Sequence, residues 1–158
     1  MANTYSQIHI QVVFAVKYRQ ACILPHFEGQ VFKIITGIIQ QKGQKLLAIN
    51  GVEDHIHIFI GMKPTCNLSD LVREVKKYST NYINETNLLP HKFQWQEGFG
   101  AFSYSNSHVE RVIKYVLNQK DHHARQSFGE EYVGMLEQNA VEYDEKYLFD
   151  GGIGSSNV

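Results

Sequence analysis

The chain has 158 residues, 43% of them hydrophobic, which suits one domain with its own core. No apolar run approaches the ~20 residues of a membrane span, the first residues lack a secretory pattern, and Cys22 and Cys66 are too few and too distant for a disulfide framework, so the cytoplasm is the expected compartment. The net charge of −1 does not suggest a nucleic-acid binder, but residues 1–128 carry 14 bases against 9 acids, and the acids concentrate in residues 130–150.

Residues 5–17 alternate, with Ile8, Ile10, Val12, Phe14 and Val16 on one side, and predict a strand. Residues 27–42 predict a helix with Val31, Ile34, Ile35, Ile38 and Ile39 on its buried stripe and Gly43 as its stop. Residues 44–52 predict a second strand. Glu53 and Asp54 then turn the chain into a third, making an antiparallel hairpin. A second helix, capped by Asn67 or Ser69, runs to about residue 84, with Leu71, Val72, Val75 and Tyr78 toward the core. Residues 93–104 predict one or two short strands. Helical spacing resumes through Val109, Val112, Ile113, Val116 and Leu117, with Ser107 and Glu110 forming a capping box. A last amphipathic helix covers residues 129–139, and residues 151–158 read as a flexible tail to a single domain spanning 1–150. The order β-α-β-β-α-β is a split βαβ, ferredoxin-like arrangement. It predicts an α+β fold with a central antiparallel sheet, helices on one face, and an extra C-terminal helix carrying Tyr115.

The third strand carries the most informative residues. In Asp54-His55-Ile56-His57 and the residues that follow, His55, His57 and Phe59 share one face, while Ile56, Ile58 and Ile60 share the other. The isoleucines would anchor the strand, leaving the two imidazoles to project together, accessible to a metal and a substrate. A strand whose polar face merely carries two histidines would read the same. Some sixty residues later, Tyr115 and Gln119 are stacked one helical turn apart, though a boundary tyrosine packing on the core is equally compatible.

Together these residues resemble the one-tyrosine transposases of the HUH nuclease superfamily, the insertion sequence 200/605 family, which move DNA as a single strand. The likeness runs from Tyr5 to about His123, through the opening strand, the His-Ile-His core, residues 95–103 and the Tyr115-x-x-x-Gln119 helix. The resemblance implies that His55, His57 and Gln119 hold a divalent metal, Mg²⁺ or Mn²⁺, and that Tyr115 is the nucleophile. It further implies a 5′-phosphotyrosine intermediate, single-stranded DNA with hairpin ends as substrate, and a homodimer whose active sites are shared between subunits. Two alternatives stay open: a domesticated relative acting on repeated palindromes, and a non-catalytic DNA-binding domain of the same fold.

The second helix is the candidate DNA-contacting element, through Arg73, Lys76, Lys77 and Ser79; Asp70 and Glu74 on the same helix also fit an ordinary solvated face. Trp95, Phe99, Phe102 and Tyr104 could stack on bases or fill the core. His122 and His123, near a helix C-terminus, read as surface residues.

Overall fold

The alternation along the first and third strands sorts their side chains into two sets, and a computed structural model, which describes residues 3–149, gives each set its own partners. Four strands, β1 (His9–Ala15), β2 (Lys45–Val52), β3 (His55–Gly61) and β4 (Gly100–Tyr104), form one antiparallel sheet in the order β2-β3-β1-β4. With α1 (Glu28–Gln41) and α2 (Leu68–Glu85) as the crossovers, this is the split βαβ arrangement the sequence predicts. Val12, Phe14, Val16, Ile56, Ile58 and Ile60 pack against Val31, Ile35, Ile38 and Ile39 of α1 and Leu71, Val72, Val75 and Ile83 of α2. Burying side chains of this kind stabilises by roughly 1.5–3 kcal/mol each, which makes this face the main core.

Local signals account for most boundaries. Gly43, at φ +82°, ends α1 in the left-handed conformation that a β-carbon disfavours. The Asn67 side chain accepts from Asp70 N at 3.1 Å and caps α2, so Asn67 rather than Ser69 is the cap. Tyr78, expected toward the core, is 46% exposed, because the buried stripe of α2 runs through Val75, Ser79 and Ile83 instead. The first strand is shorter than its alternation suggests: beyond Ala15 the chain enters a 3₁₀ turn with Tyr18 and Arg19 at positive φ.

The opposite face departs from expectation. Three further helices, α3 (Val109–Leu117), α4 (Gln119–His123) and α5 (Phe128–Gln138), lie over it, followed by the short α6 (Glu145–Leu148). Val112 and Val116 of α3 pack on Ala48 and Phe59, while Phe128, Tyr132, Met135 and Leu136 of α5 pack on Val13, Ala15 and Phe102. Among the described residues no helix is long and apolar enough to cross a membrane. The tail expected at residues 151–158 lies outside the described residues.

The tyrosine helix also begins and ends differently. No capping box forms: the chain passes through a 3₁₀ turn, Asn106–His108, and Ser107 Oγ pairs with Ser105 Oγ at 3.0 Å. The helix then breaks at Asn118, where φ −97° and ψ 18° end α3 before α4 starts. Leu117 falls at that end and is 56% exposed, so it leaves the apolar stripe.

Candidate active site

Two neighbouring residues fix the orientation of the histidine pair on β3. His55 Nδ1 lies 2.7 Å from Asp54 Oδ1, and His57 Nδ1 lies 2.7 Å from Gln11 Oε1 on β1. Gln11 Nε2 donates to Tyr104 OH at 3.0 Å, so its oxygen faces His57 and accepts from Nδ1–H. Each imidazole thereby spends its Nδ1 on an outer acceptor and turns Nε2 inward. Histidines that bind metals are oriented in this way, with the far nitrogen donating to a carboxylate or carbonyl. At the hairpin, a β-carbon on Gly51 would collide with the His55 carbonyl oxygen, so glycine there lets β2 close on the strand that presents the pair.

Tyr115 and Gln119 arrive from above. The Tyr115 ring sits edge-on to His57 with centroids 5.7 Å apart, and Gln119 Oε1 lies 3.2 Å from His55 Nε2. Their one-turn relation survives the break at Asn118, with Gln119 Nε2 3.4 Å from the Tyr115 carbonyl oxygen. The junction is pinned to the hairpin: Asn50 Nδ2 donates to Leu117 O at 2.9 Å, and Lys120 Nζ reaches Asn50 Oδ1, Gly51 O and Glu28 Oε1. His55, His57, Tyr115 and Gln119 therefore converge within one chain.

His55 and His57 are fully buried, which corrects the expectation that they stand open to solvent. The cause is α5. Phe128 stacks on His55 with centroids 4.3 Å apart, and Glu131, itself 3% exposed, inserts its carboxylate among the imidazoles. Glu131 Oε1 lies 3.0 Å from His57 Nε2, 3.4 Å from His55 Nε2 and 2.9 Å from His123 Nε2. Its Oε2 accepts from the Tyr115 hydroxyl and, at 3.2 Å, from Gln119 Nε2. His123 is thus part of the site rather than a surface residue. His122 is at the edge, 3.5 Å from Oε2. No motif singles out Glu131; its local signal is that of an acid in the first turn of a helix whose N-cap, Ser127, accepts from Glu130 N.

Burial would raise the Glu131 carboxyl, but hydrogen bonds from His123, His55 and His57 hold it well below the usual range. His57 is lowered to about 4, chiefly by burial. His55 moves the other way: burial lowers it, but it touches two carboxylates, Asp54 and Glu131, and together they raise it. His57 has only neutral Gln11 on its outer side, which explains the difference between the two. Burial, and then the Glu131 charge, lift the Tyr115 phenol above its ordinary value. A phenol raised in this way stays protonated at neutral pH.

A cleft of about 310 Å³, lined by Gln11, Tyr104, Arg111, Tyr115, Glu131 and Met135, leads from solvent to the tyrosine. A second cleft of about 740 Å³ lies between α2 and residues 94–99 and carries Arg73, Lys76 and Lys77. Arg73 pairs with Asp70 at 3.0 Å and Lys77 lies over the Tyr78 ring. Lys76 Nζ donates to the carbonyls of Gln96 and Gly98 at 2.8 and 2.6 Å. Ser79, expected as a phosphate contact, is instead a core residue: it is 1% exposed, donates to Val75 O and accepts from Trp95 Nε1 at 2.9 Å. Trp95 is held edge-on between Phe14 and Phe93, and Phe102 is 3% exposed, so neither offers a ring to a base. Phe99 lines the second cleft and Tyr104 the first.

Residues 4–119 match the sequence profile of the family described as IS200-like transposases. The chain belongs to this family. The ISDra2 transposase TnpA of Deinococcus radiodurans is 21% identical over 120 residues, covering 73% of this chain and 86% of the relative. Among solved structures, a Deinococcus radiodurans R1 protein described as a transposase superposes with a TM-score of 0.61 at 20% identity, covering 75% of this chain and 95% of that one. A REP-associated tyrosine transposase bound to a REP hairpin superposes with a TM-score of 0.59 at 16% identity, covering 78% and 73%. The IS200-like transposase fold is thus shared across the sheet and its crossover helices, while α5 and Glu131 lie beyond the matched residues 4–119.

Proposed function

We propose that this IS200-like transposase cuts and rejoins single-stranded DNA through a covalent bond to Tyr115. The observation that carries the reading is the convergence of Tyr115, the inward nitrogens of His55 and His57, and the Gln119 amide, with Tyr115 on the wall of an open cleft and the other three buried behind it. The Tyr115 oxygen attacks phosphorus and the bond to the 3′ oxygen breaks, leaving a 5′-phosphotyrosine and a free 3′-OH. Because the link preserves a phosphodiester, the reverse attack by a 3′-OH reseals DNA without ATP. Held by His55, His57 and Gln119, a divalent ion, Mg²⁺ or Mn²⁺, would polarise the scissile phosphate and offset the Glu131 charge that raises the phenol. The outer bonds to Asp54 and Gln11 keep both imidazoles in the tautomer that reaction requires.

The substrate is a single strand carrying a hairpin. Arg73 and Lys77, with Lys76 at the rim of the α2 cleft, would contact its phosphates, and a fold neighbour has been solved with a REP hairpin bound. Each chain has one Tyr115, so cutting both ends of an element requires two chains, and the working unit is a homodimer in the cytoplasm. In a single chain Tyr115 faces its own histidines. In the dimer, exchange of α3 through the segment before it would share the sites. Mixing Tyr115→Phe with His57→Ala subunits tests this: recovery of cleavage supports shared sites, whereas formation of inactive heterodimers contradicts them. The enzymatic reading is tested with a labelled hairpin single strand, with and without chelator. Metal-dependent cleavage, absent on the fully paired duplex, is expected; binding without cleavage in saturating Mn²⁺ would leave only a DNA-binding domain.

A further inference from the structure

Glu131 has more partners than a carboxylate can satisfy. Its two oxygens offer about four lone-pair positions, yet His55, His57, His123, Tyr115, Gln119 and His122 all approach them. Three of these six converge as Nε2 atoms on the single atom Oε1. Two of those nitrogens belong to rings that already direct Nδ1 at Asp54 and Gln11, so each bonds Oε1 only when its ring carries a second proton and otherwise turns a lone pair on it. Neutral rings would set lone pairs against the carboxylate, and protonated ones beside His123 would crowd positive charge around a single oxygen. Inward nitrogens and a carboxylate from different elements are the arrangement expected around a cation, which removes both costs.

We infer that Glu131 and His123 are metal ligands, so that the centre is a buried four-donor site of His55, His57, His123 and Glu131 rather than the histidine pair with Gln119 alone. The ligand atoms of the four lie within 4.8 Å of one another and come from β3, α4 and α5. The inference deepens the proposed function and rests on its reading of His55 and His57 as ligands. Three imidazoles and one carboxylate are a nitrogen-rich set. Such a set favours Mn²⁺ or a heavier first-row ion over Mg²⁺, which prefers oxygen and near-ideal octahedral geometry. Gln119 stays beside these four donors, its amide oxygen 3.2 Å from His55 Nε2 and its nitrogen on Glu131 Oε2. Glu131 also ties the cation to α5 and, through Oε2, to the Tyr115 hydroxyl.

The test is calorimetric titration of the DNA-free protein with Mn²⁺ and, separately, Mg²⁺. Wild type, His57→Ala, Gln119→Ala, His123→Gln and Glu131→Gln are compared, with Glu131→Asp as a variant that keeps the charge. Removing an outer-sphere partner of a metal ligand usually weakens affinity about 10–100-fold. Loss of a ligand should reach the top of that range, so Glu131→Gln and His123→Gln should each weaken Mn²⁺ about 100-fold and erase its advantage over Mg²⁺. Glu131→Asp should lose less. X-ray absorption of the Mn²⁺-loaded wild type needs no variant to fold and should count three imidazoles. Two imidazoles, or unchanged Mn²⁺ affinity in Glu131→Gln while His57→Ala loses it, would overturn this ligand set and leave the proposed function standing. Unchanged affinity in His57→Ala would overturn both.

Discussion

The two faces of the sheet are built from the same strands and behave as different materials. One face, lined by Val12, Phe14, Ile56, Ile58 and Ile60, is dry, and α1 and α2 close it with aliphatic side chains. The other alternates with it residue by residue, yet it buries Gln11, His55 and His57 under α3, α4 and α5 together with Glu131 and Gln119. A buried polar group costs free energy unless it is bonded, and here both nitrogens of His55 and of His57 have a partner. One face holds the fold together; the other spends stability to pre-organise a reactive centre.

That contrast is sharpest between neighbours. His57→Ala should leave the chain folded while cleavage falls at least ~10³-fold, since groups that act as a unit fail together. Ile58→Ala, one residue on, should do the opposite and lower stability by about 2–5 kcal/mol while metal binding persists. Denaturant unfolding and calorimetry on both variants separate these effects. Similar stability losses in the two would dissolve the distinction between the faces.

Acid should strain only the polar face. His57 titrates at about 4 in the folded chain and near ~6.5 when unfolded. Between these values the unfolded state takes up a proton that the folded state refuses, so stability falls as pH drops through that window and levels off below it. The contribution is about 3 kcal/mol at ~1.4 kcal/mol per pH unit. His55, whose value is raised, works in the opposite sense: its stabilisation is present below the unfolded value and lost as pH climbs through the folded one. Thermal melts of wild type against His57→Gln in chelator isolate the first effect. If wild type does not lose stability relative to His57→Gln as pH falls from ~6.5 to ~4, His57 is not held neutral.

Smaller effects test the α2 cleft. Ser79→Ala removes the acceptor for the buried Trp95 Nε1–H and should cost about 1–3 kcal/mol of stability, with DNA affinity unchanged because Ser79 is 1% exposed. Lys77→Gln should leave stability alone and weaken single-strand binding a few-fold, reducing the salt slope by about 1. An unchanged slope would remove Lys77 from the phosphate path.

The dry face was legible because it depends on periodicity alone. The alternation of β1 and β3, the stripes of α1 and α2 and the stop at Gly43 are local patterns, and they hold. Tyr78 and Leu117 were misplaced because each lies at the margin of a stripe, where the helix's tilt or end decides exposure. Ser79 looked like a surface hydroxyl because its partner, Trp95, is sixteen residues away and only the folded chain brings them together. His55, His57, Tyr115 and Gln119 were visible as motifs, and the fold brings them into one place. Glu131 was not, and His123 read as a surface residue, since the carboxylate that brings them together arrives with the packing of α5 across the sheet, a tertiary fact with no short-range signature. Gln11 was hidden for the same reason: it reads as one polar residue in an alternating strand until its amide is seen against His57.

The most direct test of the central claim is to trap the covalent intermediate. A hairpin-bearing single strand labelled at its 3′ end is incubated with the protein and Mn²⁺, denatured, and the adduct digested for mass spectrometry. A labelled 5′-phosphotyrosine at Tyr115 is expected, lost in Tyr115→Phe and in the presence of chelator. An adduct on another residue, or one that persists in Tyr115→Phe, would contradict it.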